Sequence, residues 1–417
     1  MKAHIISIGD ELLIGQTINS NASYIGELLT GLQIQVAKIS VVGDNEEDIL
    51  SEFQQAYSGN DLVVVTGGLG VTHDDITRKV VCDFFKCGLI KNQDVLDDIT
   101  ERFERLNHDV SKINEDQSYV PEVASALRNM IGTAPGYWIE KDNKIFVVLP
   151  GVPHEMKNLM KEVVSKLEAK EMVFESYTAT VNLLTTGIWE STLYEKFGDI
   201  EKLLDGGKLA FLPSPFGVKL RISTSGNTKE NAESKLSEIE QRIRAIAGRY
   251  IYGKNDDDLA EVVGRLLKER GITLSVAESC TGGLIAHRIT SFSGSSDYFE
   301  RGVISYSNAS KVEVLGVDED TIANFGAVSP QVACQMAQGI RSISGTEIGI
   351  GVTGIMGPTG GSAEKPIGLV YIGYADSKIT ESIELRLSSN RILNKERAAQ
   401  AAFSLVRKMI LGISLDA

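Results

Sequence analysis

Three side chains capable of nucleophilic attack, Ser279, Cys280 and Thr281, lie together in the segment AESCTGG (277–283). An apolar run precedes this segment and an apolar-periodic run follows it, which predicts a sharp turn from a strand into a helix. Such a turn places side chains beside the unpaired N–H groups of a helix N-terminus, where a developing oxyanion is stabilised. The same residue types also cap helices. The segment alone therefore fits an active site or a helix cap.

A serine nucleophile needs a base that takes its proton. His287 lies about two helical turns beyond Ser279, so we expect it to point away from the turn. A lysine kept neutral by its surroundings is the alternative base. The segment VISYSNASK (303–311) supplies Tyr306 at the end of a predicted strand and Lys311 at the start of a predicted helix. Considered singly, these two residues also fit a packed tyrosine and a solvated lysine.

An alternation of strand and helix patterns must position these side chains, and it predicts a second α/β domain in the C-terminal part of the chain. The predicted strands are 273–277, 302–307, 347–353, 367–374 and 379–388, and the predicted helices include 282–291, 329–344 and 394–411. Ser329 followed by Pro330 is typical of a helix start. The glycine-rich loop TGIMGPTGG (353–361) follows a strand, and such loops either admit a phosphate or ribose or simply turn the chain.

Roughly the first 165 residues show the same alternation, which predicts βαβ units and a mainly parallel sheet. The predicted strands are 4–9, 61–68 and 144–151, and the predicted helices are 20–33, capped by Ser20 or Asn21, and 44–58. Loops at the strand ends, where ligands bind in such sheets, contain clustered carboxylates and glycines. Carboxylates of this kind favour a hard-metal site, although a single Asp more often satisfies its own turn. The cluster comprises Asp10, Glu11, Asp74 and Asp75, with His73 as a further candidate ligand.

The segment between these two domains follows a different pattern. Alternating strands at 177–184 and 217–225 and a long amphipathic helix at 231–248 predict a small α+β domain, either a spacer or a dimerisation module. A polar stretch at 252–261 is predicted to be a linker that runs into a helix. The predicted architecture is two α/β domains joined by a small α+β domain, with boundaries at 1–168, 169–252 and 258–417.

The charge balance argues against nucleic acid as a direct partner. The 56 Asp and Glu residues exceed the 42 Lys and Arg residues, giving a net charge of −14 that repels phosphate backbones. Four cysteines are too few and too widely spaced for a dense disulfide framework, so we expect reduced thiols. Without a recognisable signal peptide or a long apolar stretch, we expect a cytoplasmic protein that does not bind membranes.

Several C-terminal motifs in order, AESCTGG, SYSN with a following Lys, TGIMGPTGG and KPIGLVY, resemble the C-terminal domain of the CinA family. The resemblance implies hydrolysis of nicotinamide mononucleotide (NMN) to nicotinate mononucleotide and ammonia, without a metal or other cofactor. It implies Ser279 as the nucleophile, Lys311 acting with Tyr306 in proton transfer, and turn N–H groups near Thr281 to Gly283 as the oxyanion site. The implied NMN-binding residues are Thr281, Gly282, Gly283, Asn308, Thr353, Gly354, Gly361, Arg391 and Arg397.

Arg391 and Arg397 are the candidates for the 5′-phosphate of NMN, because arginine commonly binds phosphate. Exposed charges at a helix start are an equally good interpretation of both residues. Met356 stands where the family usually has a smaller residue, which bears on the size of the pocket.

The N-terminal loops resemble the molybdopterin-binding-type domain of CinA proteins, which implies a divalent-metal-dependent ADP-ribose pyrophosphatase. Val71 and Met130 stand where the family commonly has proline. The implied metal ligands are Asp10, Glu11, Asp74 and Asp75, and the implied ADP-ribose-binding residues are Gly67, Gly68, Gly70 and Glu155. The family also implies a homodimer. Two alternatives stay open: a non-catalytic nucleotide- or pterin-binding N-terminal domain, and the role in DNA uptake or damage response that the family's name suggests.

Overall fold

The computed structural model describes residues 1–72, 75–170 and 176–415. Contacts divide the chain into two compact units, residues 1–175 and 176–417. The predictions for His73 and Asp74 lie outside the described residues. No helix within the described ranges is long and apolar enough to cross a membrane.

The first unit contains eight strands and seven α-helices among its described residues, with a 3₁₀ turn at Asp116–Ser118. The strands are β1 (Lys2–Ile8), β2 (Gln35–Val42), β3 (Leu62–Thr66), β4 (Leu89–Lys91), β5 (Tyr119–Pro121), β6 (Ser125–Leu127), β7 (Gly136–Lys141) and β8 (Lys144–Leu149). The helices are α1 (Asp10–Leu13), α2 (Ser20–Gly31), α3 (Glu46–Gly59), α4 (Thr77–Phe85), α5 (Gln93–Arg105), α6 (Lys112–Glu115) and α7 (Pro153–Glu168).

Six of these strands form one sheet in the order β2-β1-β3-β8-β7-β6, and β4 pairs with β5 separately. The strands β2, β1, β3 and β8 are parallel to one another. Strand β7 pairs antiparallel with β8, and β6 pairs antiparallel with β7. All five residues of β3 are buried, as expected of a parallel strand covered on both faces. The predicted cap of α2 was wrong by one or two positions: the side chain of Asn19 accepts the N–H of Ala22, three residues on.

The second unit begins with a four-stranded antiparallel sheet in the order β10-β11-β9-β12. Its elements are β9 (Tyr177–Thr185), α8 (Glu190–Phe197), α9 (Ile200–Leu204), β10 (Lys208–Ser214), β11 (Gly217–Gly226), α10 (Lys229–Ala247) and β12 (Ile251–Lys254). Alternate residues of β11 are buried, so one face of the sheet packs against α10. The predicted linker at 252–261 does run into a helix, α11 (Leu259–Arg270), but it is shorter than predicted because residues 251–254 pair with β9.

The remainder of the second unit holds a five-stranded sheet in the order β14-β13-β15-β16-β17. Its strands are β13 (Leu274–Glu278), β14 (Phe299–Ile304), β15 (Ile348–Gly354), β16 (Leu369–Ala375) and β17 (Thr380–Arg386). Its helices are α11 (Leu259–Arg270), α12 (Leu284–Thr290), α13 (Asn308–Leu315), α14 (Glu319–Phe325), α15 (Pro330–Ser344) and α16 (Arg391–Leu411), with a 3₁₀ turn at Ser295–Asp297. The predicted α/β class, with a small α+β domain between two α/β domains, is confirmed.

Strand β13 lies between β14 and β15 and is parallel to both. Carboxyl ends of adjacent parallel strands meet at one edge, so the loops after these strands lie together. The predicted start of α15 is confirmed, since the Ser329 side chain accepts the N–H of Val332. The predicted strand 302–307 is shifted, because β14 ends at Ile304 and Tyr306 lies in the following loop.

Candidate active site

The turn that contains Ser279 begins directly at the end of β13. Ser279 is 8% exposed, and its N–H donates to the carbonyl of Val352 in the neighbouring strand at 3.0 Å. This bond continues the ladder between β13 and β15 by one residue. The backbone of Ser279 is therefore held by the sheet, and its hydroxyl lies at the sheet edge where ligands bind in α/β folds.

The ammonium of Lys311 lies within hydrogen-bond distance of the Ser279 hydroxyl, with Nζ and Oγ 3.1 Å apart. Lys311 is 1% exposed, and Nζ also donates to the carbonyls of Ser305 at 2.9 Å and Tyr306 at 3.2 Å. Burial lowers the pKa of Lys311, because the charged amine is cut off from water. Lys311 is therefore a buried amine beside a serine, and its interpretation as a solvated lysine was wrong.

The two other groups considered as base or nucleophile are placed differently. His287 is exposed on α12, and none of its described contacts involves Ser279. Cys280 is 6% exposed, and burial raises the pKa of its thiol to about 12. A thiol with that pKa stays protonated near neutral pH and is a poor nucleophile. Cys280 is thus a buried neighbour of Ser279.

Tyr306 contributes to this site through its backbone and through its ring. Its carbonyl accepts from Lys311, whereas its phenol oxygen accepts from Nη2 of Arg391 at 3.1 Å. Arg391 also donates from Nη1 to the carbonyl of Gly357 at 3.0 Å. The ring of Tyr306 is 62% exposed. Among the described residues, its phenol makes no hydrogen bond to Lys311 or Ser279, so it stands at the rim of the site.

A cleft of about 200 Å³ opens beside Ser279 at the carboxyl edge of the sheet. Four of the predicted NMN-binding residues line it, and five do not. Those that line it are Asn308, Thr353, Gly354 and Arg391; those that do not are Thr281, Gly282, Gly283, Gly361 and Arg397. The remaining wall is formed by Ser279, Cys280, Tyr306, Lys311, Ala327, Val328 and Met356.

Another part of the cleft wall is built from Ala327, Val328 and the glycine-rich loop. The hydroxyl of Thr353 donates to the carbonyl of Ala327 at 2.8 Å, and Lys365 donates to the carbonyl of Phe325. Met356, at 2% exposure, lines the cleft as a buried side chain. Sequence analysis missed Ala327 and Val328, because small apolar residues before a helix cap carry no chemical signal.

Glu278, which immediately precedes Ser279, was also missed by sequence analysis. It is 1% exposed, and its carboxylate accepts the N–H groups of Gly283, Ile285 and Ala286 at 2.9, 3.1 and 2.9 Å. These are the N–H groups that the first turn of a helix leaves unpaired, and a carboxylate at this end opposes the helix dipole favourably. The sequence feature that could have indicated this role is an acidic residue at the end of a strand, just before the turn into a helix.

The position of Glu278 changes which N–H groups remain for an oxyanion. The N–H of Gly283 is bound to Glu278, and the N–H of Gly282 donates to the carbonyl of Ser279 at 3.2 Å. Among the described residues, the N–H groups of Cys280 and Thr281 have no backbone carbonyl partner. Both of these N–H groups face the sulfur of Cys280. Of the implied donors at 281–283, only that of Thr281 has neither a backbone carbonyl nor the Glu278 carboxylate as a partner among the described residues.

In the first unit, the predicted glycine-rich loop follows β3 at the carboxyl edge of the sheet. Gly67 has φ +112°, and a Cβ there would lie 2.1 Å from the carbonyl oxygen of Ile8, so only glycine fits. Gly68 lies against the Thr77 side chain at the start of α4. The loop thus approaches β1 closely, and its amides lie beside a helix N-terminus, as expected of a phosphate-binding loop.

The predicted metal ligands are only partly within the described residues. Asp10 and Asp44 exchange backbone-to-carboxylate hydrogen bonds of 3.0 and 3.2 Å. The Asp75 carboxylate accepts the Thr72 N–H at 2.9 Å and lies against Gly70. Within residues 1–72, 75–170 and 176–415, no group of three or more His, Cys, Asp and Glu side chains forms a potential metal site. The described carboxylates by themselves therefore do not fit a metal centre.

Glu155, predicted to bind ADP-ribose, lies in the first turn of α7. Its Oε2 atom accepts from the Asn129 side-chain amide at 2.6 Å. Asn129 in turn accepts the N–H of Gly132 at 2.9 Å, and a Cβ at Gly132 would collide with the Glu155 carboxylate. Glu155 thus anchors the loop GTAPG (132–136) to the start of α7, at the same edge of the sheet as Gly67.

Comparison with known proteins decides the family. The chain is 44% identical over 411 residues to a provisionally named competence-damage inducible protein from Caldicellulosiruptor saccharolyticus, covering 99% of this chain and 100% of that one. It is 43% identical over 413 residues to a CinA-like protein from Salinibacter ruber, covering 98% and 100%. The chain belongs to the CinA family. The resemblance stated from the motifs is thereby confirmed.

Family models divide the CinA chain into three parts. A probable molybdopterin binding domain matches residues 4–169, a damage-inducible protein CinA KH domain matches 180–253, and the CinA C-terminal domain matches 256–410. Among solved structures, the protein CinA of unknown function from Thermoplasma acidophilum is 34% identical and covers 40% of this chain and 97% of its own, with a TM-score of 0.38. Ser279, Lys311 and the cleft all lie in the CinA C-terminal domain.

Proposed function

We propose that this CinA protein is a cytoplasmic hydrolase that converts NMN and water to nicotinate mononucleotide and ammonia. The observation that carries the proposal is the buried Lys311 amine, 1% exposed and 3.1 Å from the Ser279 hydroxyl. A buried amine with a lowered pKa is a competent base for serine, and the pair opens onto a cleft. The carboxamide as the group attacked is inferred from family membership.

In the first step, the neutral amine of Lys311 takes the proton of Ser279, and Oγ attacks the carboxamide carbon of NMN. The N–H groups of Cys280 and Thr281, which bind no backbone carbonyl among the described residues, are the donors that we assign to the oxyanion of the tetrahedral intermediate. Lys311 then gives its proton to the departing nitrogen, so ammonia leaves as the C–N bond breaks. An acyl-enzyme ester with Ser279 remains.

In the second step, Lys311 takes a proton from water, and the resulting hydroxide attacks the ester. The proton returns to Oγ of Ser279 as the ester bond breaks, releasing nicotinate mononucleotide. Tyr306 acts in both steps through its carbonyl, which holds the Lys311 amine at 3.2 Å. Its phenol, bonded to Arg391, borders the substrate at the rim. Among the described residues Lys311 has no carboxylate partner, and burial lowers its pKa, which favours the neutral amine that this mechanism uses.

The direct test is the release of ammonia and nicotinate mononucleotide from NMN by the purified protein after treatment with a chelator. Equimolar appearance of both products is expected. A folded protein that releases neither product would overturn the proposed function.

Replacing Cys280 with alanine is expected to leave at least about half of the deamidase activity, because its thiol stays protonated and buried. The substitution removes one sulfur atom from a buried position, which costs some stability. The measurement is kcat/KM for NMN at a temperature well below the melting temperature of the variant. A loss comparable to that of Ser279→Ala would assign the nucleophile to the thiol.

We further propose that the N-terminal unit hydrolyses ADP-ribose to AMP and ribose 5-phosphate in the presence of a divalent metal. Its support is family membership, the glycine loop against β1 and the carboxylates at the same edge of the sheet. The competing function is binding of a pterin or nucleotide without turnover, which the described carboxylates favour because they form no metal centre by themselves. Titrating the protein and ADP-ribose with a divalent metal separates the two functions: hydrolysis releases AMP, whereas binding alone does not.

The Asp75→Ala variant is expected to lower AMP release by about 10²-fold, since the Asp75 carboxylate binds Thr72 and packs against Gly70 in the glycine-rich loop after β3. Deamidation of NMN by the same variant should be unchanged. Asp61→Asn is the matched control, because Asp61 binds the Lys2 N–H at the amino end of β3, at the opposite edge of the sheet. Equal losses in both variants would point to destabilisation of the unit.

The KH-domain match raises nucleic acid as another ligand. KH domains clamp the nucleic-acid backbone with a G-x-x-G loop, but no two glycines stand three residues apart in 180–253. After α8, Gly198 is followed by Asp199, Ile200 and Glu201, whose acids repel phosphate. We therefore propose that the protein does not bind DNA directly; a salt-sensitive mobility shift of labelled DNA would contradict this.

We propose instead that this domain contributes to a homodimer. A molecular mass by light scattering that equals that of the monomer would contradict this proposal.

A further inference from the structure

The start of α16 places two cations on one side of the helix. Arg391 is the first helical residue, and Lys395 follows one turn later, about 6 Å along the axis and rotated by about 40°. Arg397 is rotated by about 160° from Lys395 and therefore faces a different direction. Of these three cations, Arg391 lines the cleft and Lys395 lies over the Ser279 turn.

Contacts place Arg391 in the wall of the cleft and Lys395 over the turn that follows Ser279. Arg391 lines the cleft and donates to Gly357 and Tyr306. Nζ of Lys395 would be 3.5 Å from a Cβ at Gly282, so the ammonium lies directly over the glycine of the turn. Gly282 adopts φ +63°, and the absence of a side chain leaves the approach to the ammonium open.

Neither cation makes an ion pair with a carboxylate among the residues described. In the same domain, other cations do so: Arg288 pairs with Asp258 at 3.1 Å and Lys268 with Asp297 at 2.6 Å. Two adjacent cations without a carboxylate, beside a cleft, form a site for an anionic group. The chain as a whole has a net charge of −14, so two neighbouring cations without an acidic partner are an exception to its charge balance.

The size of the cleft indicates which part of a substrate meets these cations. About 200 Å³ is below the roughly 300–1,000 Å³ of pockets that enclose a whole small ligand. The carboxamide must reach Ser279 at the cleft wall, so the opposite end of NMN projects past the rim. That end is the 5′-phosphate.

We infer that Lys395, together with Arg391, forms the subsite for the 5′-phosphate of the substrate and that Arg397 does not contribute. This inference rests on the proposed deamidation of NMN. Two N–H groups of Arg391 are already directed to protein oxygens, whereas the compact ammonium of Lys395 has no described partner. Lys395 therefore sets the preference for a phosphorylated nucleoside over the unphosphorylated one.

The test compares NMN with nicotinamide riboside, which carries the same carboxamide without the phosphate. Lys395→Met is expected to lower kcat/KM for NMN by about 10- to 100-fold, the range of one charge-assisted hydrogen bond. For nicotinamide riboside, the change should stay within about threefold, since that substrate has no group to bind there. Lys395→Arg should retain most of the preference, and Arg397→Met should change neither substrate.

Two results would overturn the inference: an equal loss for both substrates in Lys395→Met, or an effect of Arg397→Met on NMN alone. The same comparison can be made without turnover by measuring, with calorimetry, the binding of NMN and nicotinamide riboside to the Ser279→Ala variant and to the Ser279→Ala, Lys395→Met double variant. If the wild type deamidates neither substrate, the proposed function fails. A phosphate preference that Lys395→Met removes in the binding experiment would still establish the subsite.

Discussion

The Ser279→Ala variant is expected to lose deamidation of NMN by a factor of about 10³ or more, the scale of other disabled nucleophiles. Without Oγ, no acyl-enzyme forms, and the Lys311 amine loses the group that it deprotonates at 3.1 Å. The measurement is ammonia and nicotinate mononucleotide release under single-turnover and steady-state conditions. Trapping of an acyl-enzyme by mass spectrometry should succeed with wild type and fail with the variant.

Ser305→Ala is the matched control for this substitution. Ser305 is fully buried and, like Ser279, contacts Lys311, but through its carbonyl at 2.9 Å, which the substitution leaves in place. Its hydroxyl has no hydrogen-bond partner among the described residues. Activity should therefore persist in Ser305→Ala. A fully active Ser279→Ala variant would exclude Ser279 as the nucleophile.

The Lys311→Met variant is expected to lose about 10³-fold or more in kcat/KM for NMN, because methionine fills the space of the lysine without an amine. In wild type, kcat/KM should rise with pH through the pKa of Lys311 and then level off. Burial lowers that pKa below its ordinary 10.5, so the rise occurs at a lower pH than for an exposed lysine. The residual activity of the variant should lack this rise.

Stability gives a second readout for Lys311. Between the lowered pKa of the folded state and the ordinary 10.5, the unfolded chain binds more protons at this residue than the folded chain. The free energy of unfolding of the wild type therefore rises with pH across that window, and Lys311→Met should remove this contribution. Lys268→Met, at an exposed lysine paired with Asp297, should change neither profile. A pH–rate profile unchanged in Lys311→Met would exclude the lysine as the base.

The sequence by itself predicted the family and the α/β class, and the resemblance implied the pairing of Ser279 with Lys311. These followed from local patterns, since strand and helix periodicities and short motifs are carried by neighbouring residues. Element boundaries were predicted less well: the cap of α2 is Asn19, and Tyr306 lies in a loop. Caps depend on which single side chain reaches an N–H group, which periodicity does not specify.

Only the tertiary structure decided what each group near Ser279 does. Glu278 takes up helix N–H groups, and the glycine turn at 282 receives Lys395 from a helix more than a hundred residues later in the chain. Arg397 was predicted as a phosphate ligand, but the start of α16 turns it away from the cleft. The burial that lowers the Lys311 pKa likewise arises from packing between distant elements. Composition determines which groups exist, whereas the packing of helices and strands determines which of them meet and in what protonation state.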